Sequence, residues 1–355
     1  MAFLGDVMCG DSFYALGSGV ASSMEKYGGS FLPSAIVDYL HRHDLVFCNL
    51  ECVLSNIGRK DWSLRRLQMR GRPEFSGHLA QWGITVANVA NNHILEHGRA
   101  AACDTITVLE AHGIQPVGAG KALDFQRGLQ VHEAKINGQS VAIVGLSLLK
   151  EKYVYDGGGA LDEALSAVEQ YARQDSLVLV SLHWGQELMH RPSIEQKSIA
   201  ARLAQAGTKL IIGHHPHVVQ GVEELNGCLV AYSLGNFIFD CILSDCRWSV
   251  ILSVELSSHN EITNWDVLPV ELDAEHRPVL PSTARSHALR NEFERRCQLT
   301  NDQADDCAYQ QEFRLREEKA RRKLHRHVIG SLRDFRPVFW PQVFLRPIQR
   351  RLGLW

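Results

Sequence analysis

The sequence predicts an α/β fold in which helices cover the faces of a largely parallel sheet. Up to residue 213, short apolar runs alternate with longer segments of helical periodicity, and this alternation is typical of parallel strands joined by helices. Beyond residue 225 the apolar runs follow one another directly, which indicates antiparallel strands or a second sheet. A chain of 355 residues that is 45% hydrophobic and 22% charged can form one large domain with an appendage.

Each predicted strand is a short apolar run, and each predicted helix repeats its apolar residues every three or four positions. In the segment 99–112, for example, Ala102, Ile106 and Leu109 fall on one helical face, and Gly113 ends the helix. The predicted strands are 2–7, 45–49, 84–89, 141–147, 176–182, 209–213, 228–233, 249–256 and 264–270. The predicted helices are 33–42, 74–82, 99–112, 161–173 and 194–206.

Five polar clusters follow apolar runs, each at the point where a strand should end. Because the carboxyl ends of parallel strands line one crevice, we expect the side chains of these clusters to converge. Asp, Glu, Asn and His are ligands of divalent transition metals, so the clusters predict a metal site. They are Gly5-Asp6-Val7-Met8, Asn49-Leu50-Glu51, Asn91-Asn92-His93, His183-Trp184-Gly185-Gln186-Glu187 and Gly213-His214-His215-Pro216-His217.

Single members of these clusters also have simpler structural interpretations. Asp6 could form a turn or cap a helix, and His183 could be a hydrogen-bonded core histidine. His214, His215 and His217 fit that interpretation least well, because three imidazoles within four residues are hard to place in a core. A metal site explains all five clusters together, and a pair of ions about 3.5–4 Å apart could activate a water molecule. A histidine beside such a site could protonate the leaving group.

These segments, in this order, resemble the CapA family of bacterial capsule or poly-γ-glutamate synthesis proteins, which share the calcineurin-like metallophosphoesterase fold. The resemblance also includes Tyr232-Ser233-Leu234-Gly235-Asn236-Phe237-Ile238-Phe239, and it spans residues 5–239. It implies an α-β-β-α sandwich of two packed mixed sheets, with a metal centre at one edge. We therefore expect a metallophosphoesterase-like domain at 1–280, a charged helical extension at 281–330 and a basic aromatic tail at 331–355.

The resemblance also implies roles for individual residues. The implied metal ligands are Asp6, Glu51, Asn92, His183, His215 and His217. Asn92 and His93 match the catalytic Asn-His pair, in which the asparagine is a ligand and the histidine protonates the leaving oxygen. His214 remains an alternative ligand, because the closing Gly-His-x-His match is ambiguous by one residue. One or two divalent ions of Mn, Fe or Zn are expected.

The sequence departs from the metallophosphoesterase pattern at the first metal. Met8 stands where a histidine is usual, and Glu51 replaces the bridging aspartate. The site could hold one ion, or a weaker pair completed by Glu187, while Cys9 is more simply a buried thiol. Two functions follow as hypotheses: a metal-dependent hydrolase that cleaves a phosphoester or an amide-linked anionic polymer such as poly-γ-glutamate, or a non-catalytic accessory subunit of a polymer or capsule synthesis complex.

The end of the chain differs in character from the rest. Residues 313–355 contain twelve Lys or Arg and three Asp or Glu, and aromatic residues alternate with arginines after residue 330. The spacing of the prolines in this tail predicts that it forms no long helix. The tail could fold back over its own domain, contact a membrane surface or bind an acidic partner.

Composition gives weaker expectations about location and partners. The nine cysteines form no C-x-x-C pair, which is typical of a reducing compartment. The first motif begins at Gly5, and no apolar stretch approaches the length of a membrane span, so we expect a cytoplasmic protein, with peripheral membrane contact through the tail as an option. The net charge of −3 does not indicate a nucleic acid partner.

Overall fold

Two large β-sheets form the centre of the fold. The computed structural model describes residues 1–118, 130–149, 161–257, 260–301, 305–331 and 337–351. The strands are β1 (Ala2–Val7), β2 (Val46–Leu50), β3 (Val53–Leu54), β4 (Arg70–Gly71), β5 (Val86–Asn88), β6 (Gln115–Val117), β7 (Val131–Ile136), β8 (Gln139–Ser147), β9 (Leu177–His183), β10 (Leu210–His214), β11 (Val222–Leu225), β12 (Cys228–Ala231), β13 (Asn236–Ile238), β14 (Trp248–Leu256), β15 (Ile262–Leu272) and β16 (Pro278–Val279). The helices are α1 (Val20–Tyr27), α2 (Ser34–Leu40), α3 (Leu64–Leu67), α4 (Phe75–Gln81), α5 (Arg99–Ala111), α6 (Leu161–Arg173), α7 (Ile194–Ala206), α8 (Thr283–Asn301), α9 (Asp306–Gly330) and α10 (Trp340–Arg351).

Both sheets contain parallel and antiparallel strands. The first has the order β16-β15-β14-β1-β2-β5-β6, with β13 also paired to β1, and the second has the order β11-β12-β10-β9-β8-β7. Strands β1, β2, β5 and β6 are parallel, as are β8, β9, β10 and β12. The consecutive strands expected after residue 225 divide between the sheets. Strand β12 joins the second sheet, whereas β14, β15 and β16 extend the first in antiparallel fashion.

Three apolar layers hold the sheets and helices together. Phe3 and Phe47 of the first sheet pack with Leu179 and Leu210 of the second between the two sheets. Each such buried side chain contributes about 1.5–3 kcal/mol of hydrophobic free energy. Helices α1, α2, α4 and α5 cover the outer face of the first sheet, and α6 and α7 cover that of the second. The expected α-β-β-α sandwich with two packed mixed sheets is confirmed.

Helix α7 has well-defined ends, and its N-terminal cap closes the loop that follows β9. The hydroxyl of Ser193 accepts a hydrogen bond from the Gln196 backbone N–H at 3.1 Å, and the Ser193 N–H donates to the Gln196 side chain at 3.0 Å. This reciprocal capping satisfies two N–H groups that the first helical turn leaves open. Gly207 ends the helix with a φ of 112°, a left-handed conformation that glycine adopts without a steric penalty.

The C-terminal helical extension consists of α8 and α9, and α10 follows it. Leu289 and Phe293 of α8 are buried in the layer between the sheets, so this helix contributes to the core. The expectation that prolines exclude a long helix from the tail is wrong, because α10 spans twelve residues. Pro341 lies in its first turn, where its missing N–H breaks no helical hydrogen bond. The parts of the tail at 332–336 and 352–355 lie outside the described residues.

None of the helices within the described ranges is both long enough and apolar enough to cross a lipid bilayer.

Candidate metal centre

The five polar clusters meet at one edge of the sandwich, between the carboxyl ends of strands from both sheets. Asp6 lies near the end of β1, Glu51 directly follows β2, and His183 is the last residue of β9. Strand pairing aligns Asp6 with Asn49 in the first sheet and His214 with His183 in the second. A distance of 3.2 Å between His214 Nδ1 and Asp6 Oδ1 joins the two sheets at this edge.

Glu51 is the central residue of the cluster. Its Oε1 lies 3.6 Å from His217 Nε2, 3.7 Å from His183 Nε2 and 3.8 Å from His93 Nε2. These distances are too long for hydrogen bonds. They are close to the roughly 3.4 Å that separates two ligand atoms bound tetrahedrally to one ion at ~2.1 Å. The spacing therefore fits side chains that surround a common cation.

Two groups of donor atoms share Glu51. One consists of Glu51, His215 and His217, and the other of Asp6, Glu51 and His183, with the donor atoms of each group within 4.8 Å of one another. A carboxylate common to both groups has the position of a bridging ligand. The donor set of carboxylates and imidazoles suits a divalent transition metal.

Two buried polar atoms at this edge, Glu51 Oε1 and His215 Nδ1, make no hydrogen bond with any described residue. A buried polar atom without a partner costs about 1–3 kcal/mol, so such atoms are expected to bind something. Burial raises the pKa of Glu51 to about 8, which reflects the cost of placing a negative charge away from solvent. The residues at this site therefore fit one or two divalent cations.

Asp6 is held in its ionised form by its neighbours. Burial acts to raise its pKa, but the imidazoles of His214 and His217, each 3.2 Å away, hold that pKa well below its usual range. Asn49 Nδ2 also donates a hydrogen bond to Asp6 Oδ1 at 2.9 Å, and Asn88 Nδ2 donates to Asn49 Oδ1 at 2.9 Å. A chain of two asparagine amides thus fixes the orientation of the carboxylate.

The same amide of Asn49 lies 3.3 Å from His183 Nδ1, and His183 Nε2 lies 3.0 Å from Asn92 Oδ1. His183 is therefore held at one nitrogen and faces Asn92 and Glu51 with the other. Asn49 belongs to one of the five polar clusters, but it was not among the expected ligands or catalytic residues. Its position two residues before Glu51 indicates that the two side chains point to the same side, because alternate residues of a strand share a face.

His93 is held by a carboxylate on the side away from Glu51. Its Nδ1 lies 2.8 Å from Glu96 Oε2, and Gln68 Nε2 donates to Glu96 Oε1 at 2.6 Å. Burial acts to lower the pKa of His93, but the hydrogen bond and the charge of Glu96 outweigh it and raise that pKa to about 8. An imidazolium with this pKa suits proton donation near neutral pH. Glu96 was not predicted, although it lies three residues after His93.

The neighbouring residues Asn91 and Asn92 have different roles: one fixes a turn and the other faces the site. Asn91 Oδ1 accepts hydrogen bonds from the backbone N–H groups of His93 and Ile94, and Asn91 Nδ2 donates to the Leu50 carbonyl. Asn91 thus fixes the turn, while Asn92 faces His183.

The backbone of the last cluster selects which histidines face Glu51. His215 and His217 have φ values of 94° and 59°, in the left-handed region that costs a non-glycine residue about 1–3 kcal/mol. His214 instead ends β10 and stacks on Phe47, with ring centroids 6.2 Å apart. Among the described residues, His214 belongs to neither donor group.

The remaining candidates lie beside the donor groups. Met8 is fully buried, and its sulfur accepts a hydrogen bond from the Gly10 N–H at 3.1 Å. Cys9 is buried in the layer beneath the first sheet, where its N–H donates to Cys52 Sγ at 3.2 Å. Glu187 is exposed in the loop after β9, and its charge acts on Glu51 and His215. None of the three belongs to a donor group formed by described residues.

Comparisons with solved structures find distant likenesses. The chain is similar to a phosphatase from Mycoplasma pneumoniae, with 14% identity, a TM-score of 0.46 and coverage of 76% of this chain and 92% of the other. It is also similar to a 5'-nucleotidase precursor from Thermus thermophilus, with 13% identity, a TM-score of 0.45 and coverage of 75% and 52%.

Sequence relatives are more informative. The capsule biosynthesis protein CapA of Bacillus anthracis is 26% identical over 348 residues, which cover 94% of this chain and 80% of that protein. The PGA biosynthesis protein CapA of Bacillus subtilis is 26% identical over 300 residues, covering 82% and 77%. A probable polyglutamine synthesis accessory protein of Mycobacterium tuberculosis is 28% identical over 174 residues, covering 44% and 45%.

The family model described as bacterial capsule synthesis protein PGA_cap matches residues 1–241, which include all five clusters. The match covers more than half of the chain, and the expected resemblance is confirmed. The chain belongs to the PGA_cap family of bacterial capsule synthesis proteins.

Proposed function

We propose that this chain is a metal-dependent hydrolase that acts in the synthesis or processing of an anionic polymer such as capsule material or poly-γ-glutamate. The bond cleaved would be a phosphoester or an amide. One observation carries the proposal: Glu51 lies between two groups of metal-type donors, and His93, held by Glu96, faces it. This arrangement combines a cation site with a proton donor, which are the two requirements of metal-assisted hydrolysis.

The proposed ligands come from both sheets: Asp6, Glu51, Asn92, His183, His215 and His217. They would hold one or two divalent ions of Mn, Fe or Zn. When bound, such ions lower the pKa of a coordinated water and polarise the substrate oxygen.

The protein's own groups complete the mechanism. His93 would donate its Nε2 proton to the leaving group, because Glu96 keeps the imidazole protonated and directs Nδ1 away from the site. Asn49 would keep Asp6 oriented through the hydrogen bond at 2.9 Å. The complete burial of Asp6, Glu51 and His183 strengthens the electrostatic interactions among the charged groups.

The substrate class rests on the relatives. Those from Bacillus are named for capsule biosynthesis and for PGA biosynthesis, and a third for polyglutamine synthesis. A capsule or polyglutamate polymer would bring anionic groups to a centre that is rich in cations when metal is bound. We therefore propose an anionic polymer or phosphoester substrate.

The test pairs hydrolysis with metal content. Metal-loaded protein is assayed against phosphomonoesters, phosphodiesters and γ-linked glutamate oligomers, and the bound metal is quantified by elemental analysis. His93→Gln should retain the metal and lose turnover by about 10²–10⁴-fold, whereas Glu51→Gln should lose both. Turnover in His93→Gln equal to that of the wild type would overturn the proposed proton donor, and turnover that does not depend on metal would overturn the proposed hydrolase.

A second candidate is a non-catalytic accessory subunit of a polymer or capsule synthesis complex. It is favoured by Met8, which supplies a thioether where an imidazole ligand is usual, and by the word accessory in the name of the Mycobacterium tuberculosis relative. Restoration of polymer production in cells separates the two candidates. If His93→Gln restores production as well as the wild type does, and turnover is absent in vitro, the accessory function is supported and the hydrolase is not.

A further inference from the structure

Helix α10 packs against the domain with one apolar side and exposes other apolar side chains to solvent. Phe339, just before the helix, and Val343 are buried against Leu64. Gln342 fastens the helix to the same segment, because its Oε1 accepts from the Leu64 N–H at 2.8 Å and its Nε2 donates to the Trp62 carbonyl at 2.8 Å. The helix is therefore held against the domain along one side.

The other side of the helix carries large exposed side chains. Trp340 is 43% exposed, Phe344 60% and Leu345 48%, and Trp62, whose carbonyl the helix binds, is 62% exposed. We call these four residues the aromatic patch. Trp340 and Phe344 are four positions apart, so they occupy the same side of the helix. Exposed aromatic residues that are grouped in this way indicate an interaction surface rather than ordinary surface variation.

The surroundings of the aromatic patch are strongly cationic. Residues 59–66 contain four Lys or Arg and one Asp, and residues 317–330 at the end of α9 contain five Lys or Arg and two Glu, which pair with Arg321 and Arg322. Val328 near the end of α9 packs into the same apolar cluster as Phe339 and Val343, which brings the basic end of α9 to this surface. Lys60 Nζ lies 5.2 Å from the centre of the Trp62 ring.

We propose that the aromatic patch docks the protein on the surface of an anionic lipid membrane. A helix that lies flat on a domain with tryptophan and phenylalanine outward and cations around it has the chemistry of an interfacial anchor. Aromatic rings enter the boundary between headgroups and acyl chains, while Lys and Arg pair with anionic headgroups. The proposal commits to lipid because anionic headgroups complement the nine cationic side chains that stand against three acidic ones in these two segments.

The position of the patch adds to the proposed function without depending on it. Helix α9, which ends at this surface, also contacts the loop after β9. Arg191 of that loop lies 3.1 Å from Glu312 of α9, and Arg316 lies 3.0 Å from His190. Helix α9 therefore connects the aromatic patch with the rim of the candidate metal centre.

The test is co-sedimentation of the full chain with vesicles of phosphatidylcholine alone and of phosphatidylcholine mixed with phosphatidylglycerol, at low and high salt. The wild type should bind the mixed vesicles at low salt, bind the neutral ones weakly, and dissociate as salt rises. The double variant Trp340→Ser/Phe344→Ser should lower the partition coefficient by about tenfold or more. The matched control Ile194→Ser/Leu280→Ser removes two other exposed apolar side chains and should bind as the wild type does.

Circular dichroism and thermal unfolding confirm that each variant is folded, and Phe344→Gln provides a milder change if the double variant is not. Equal binding to neutral vesicles, or no binding by the wild type, would overturn the proposal. So would loss of binding in the control pair. Self-association of the wild type that disappears in the double variant, without vesicle binding, would identify a protein interface instead and would equally overturn it.

Discussion

Replacing His215 with alanine should remove most of the stabilisation that a divalent metal gives this protein, whereas replacing His214 should leave most of it. The two neighbours form a matched pair, because both imidazoles are buried and each substitution leaves a similar cavity. The two imidazoles differ in their surroundings. His215 joins Glu51 and His217 in a donor group, while His214 stacks on Phe47.

The magnitude follows from mass action. At a metal concentration about 100 times Kd, binding stabilises the folded state by about 2.7 kcal/mol. Loss of a ligand that weakens binding by about 100-fold leaves ~0.4 kcal/mol at the same concentration. His214 lies 3.2 Å from Asp6, and even a tenfold weakening through that contact would leave ~1.4 kcal/mol. For a chain of this size these values correspond to increases in Tm of about 4, 0.5 and 2 °C.

The assay is thermal unfolding of chelator-treated protein, titrated with Mn²⁺ or Zn²⁺, with elemental analysis of each sample. Tm differences between metal-free and metal-loaded protein cancel the packing cost of each substitution, because both samples carry the same cavity. An undiminished metal-induced shift in His215→Ala would refute the assignment. If His214→Ala alone loses the shift, His214 is the ligand and the closing motif is displaced by one residue.

Three further predictions concern other parts of the structure. Glu96→Gln should reduce any metal-dependent turnover by about 10–100-fold and lower the pKa of His93 in the pH–rate profile, with metal content unchanged; a profile identical to that of the wild type would contradict the positioning role. Burial, followed by the charge of Asp11, raises the pKa of Asp240 from its ordinary value near 3.8 to about 7. This carboxyl therefore contributes its full stability only below pH ~4, and the contribution, up to about 4 kcal/mol, is lost as the pH rises to about 7. Asp240→Asn should consequently flatten the dependence of unfolding free energy on pH between these values, measured by urea titration, and an unchanged slope would count against the shifted pKa. Phe293→Ala in α8 should cost about 3–5 kcal/mol of unfolding free energy, and a cost below ~1 kcal/mol would mean that α8 is not part of the core.

The strands that carry the site could be predicted from the sequence alone. Strands β1, β2, β9 and β10 are apolar runs bounded by polar clusters, and their predicted limits lie within one residue or so of those in the structure. Parallel pairing then implies that the clusters converge, because the carboxyl ends of adjacent strands share an edge. Asp6, Glu51 and His183 could be located in this way without any knowledge of side-chain contacts.

Other features depended on information that local patterns do not contain. Asn49 orients Asp6 through a hydrogen bond between two strands, so its role follows from the register of β1 against β2. The choice between His214 and His215 depends on positive φ values that an alternation of apolar and polar residues does not reveal. Strand β13 has three residues, too few for a periodic signal, and α10 forms despite Pro347, which removes one helical hydrogen bond.

The charges of the proposed ligands link metal number to substrate type. The set contains two carboxylates, Asp6 and Glu51, and its other members are neutral when they bind metal. One divalent ion would leave the buried centre close to neutral, whereas two would leave an excess of about two positive charges. A buried excess of positive charge is costly unless an anion compensates it, and a phosphoester or a polyglutamate carboxylate would supply that anion. Because Met8 removes an imidazole but no charge, it weakens the binding of a second ion without changing this balance. A preference for anionic substrates should therefore increase with metal occupancy, and the preference should be weak in protein that binds a single ion.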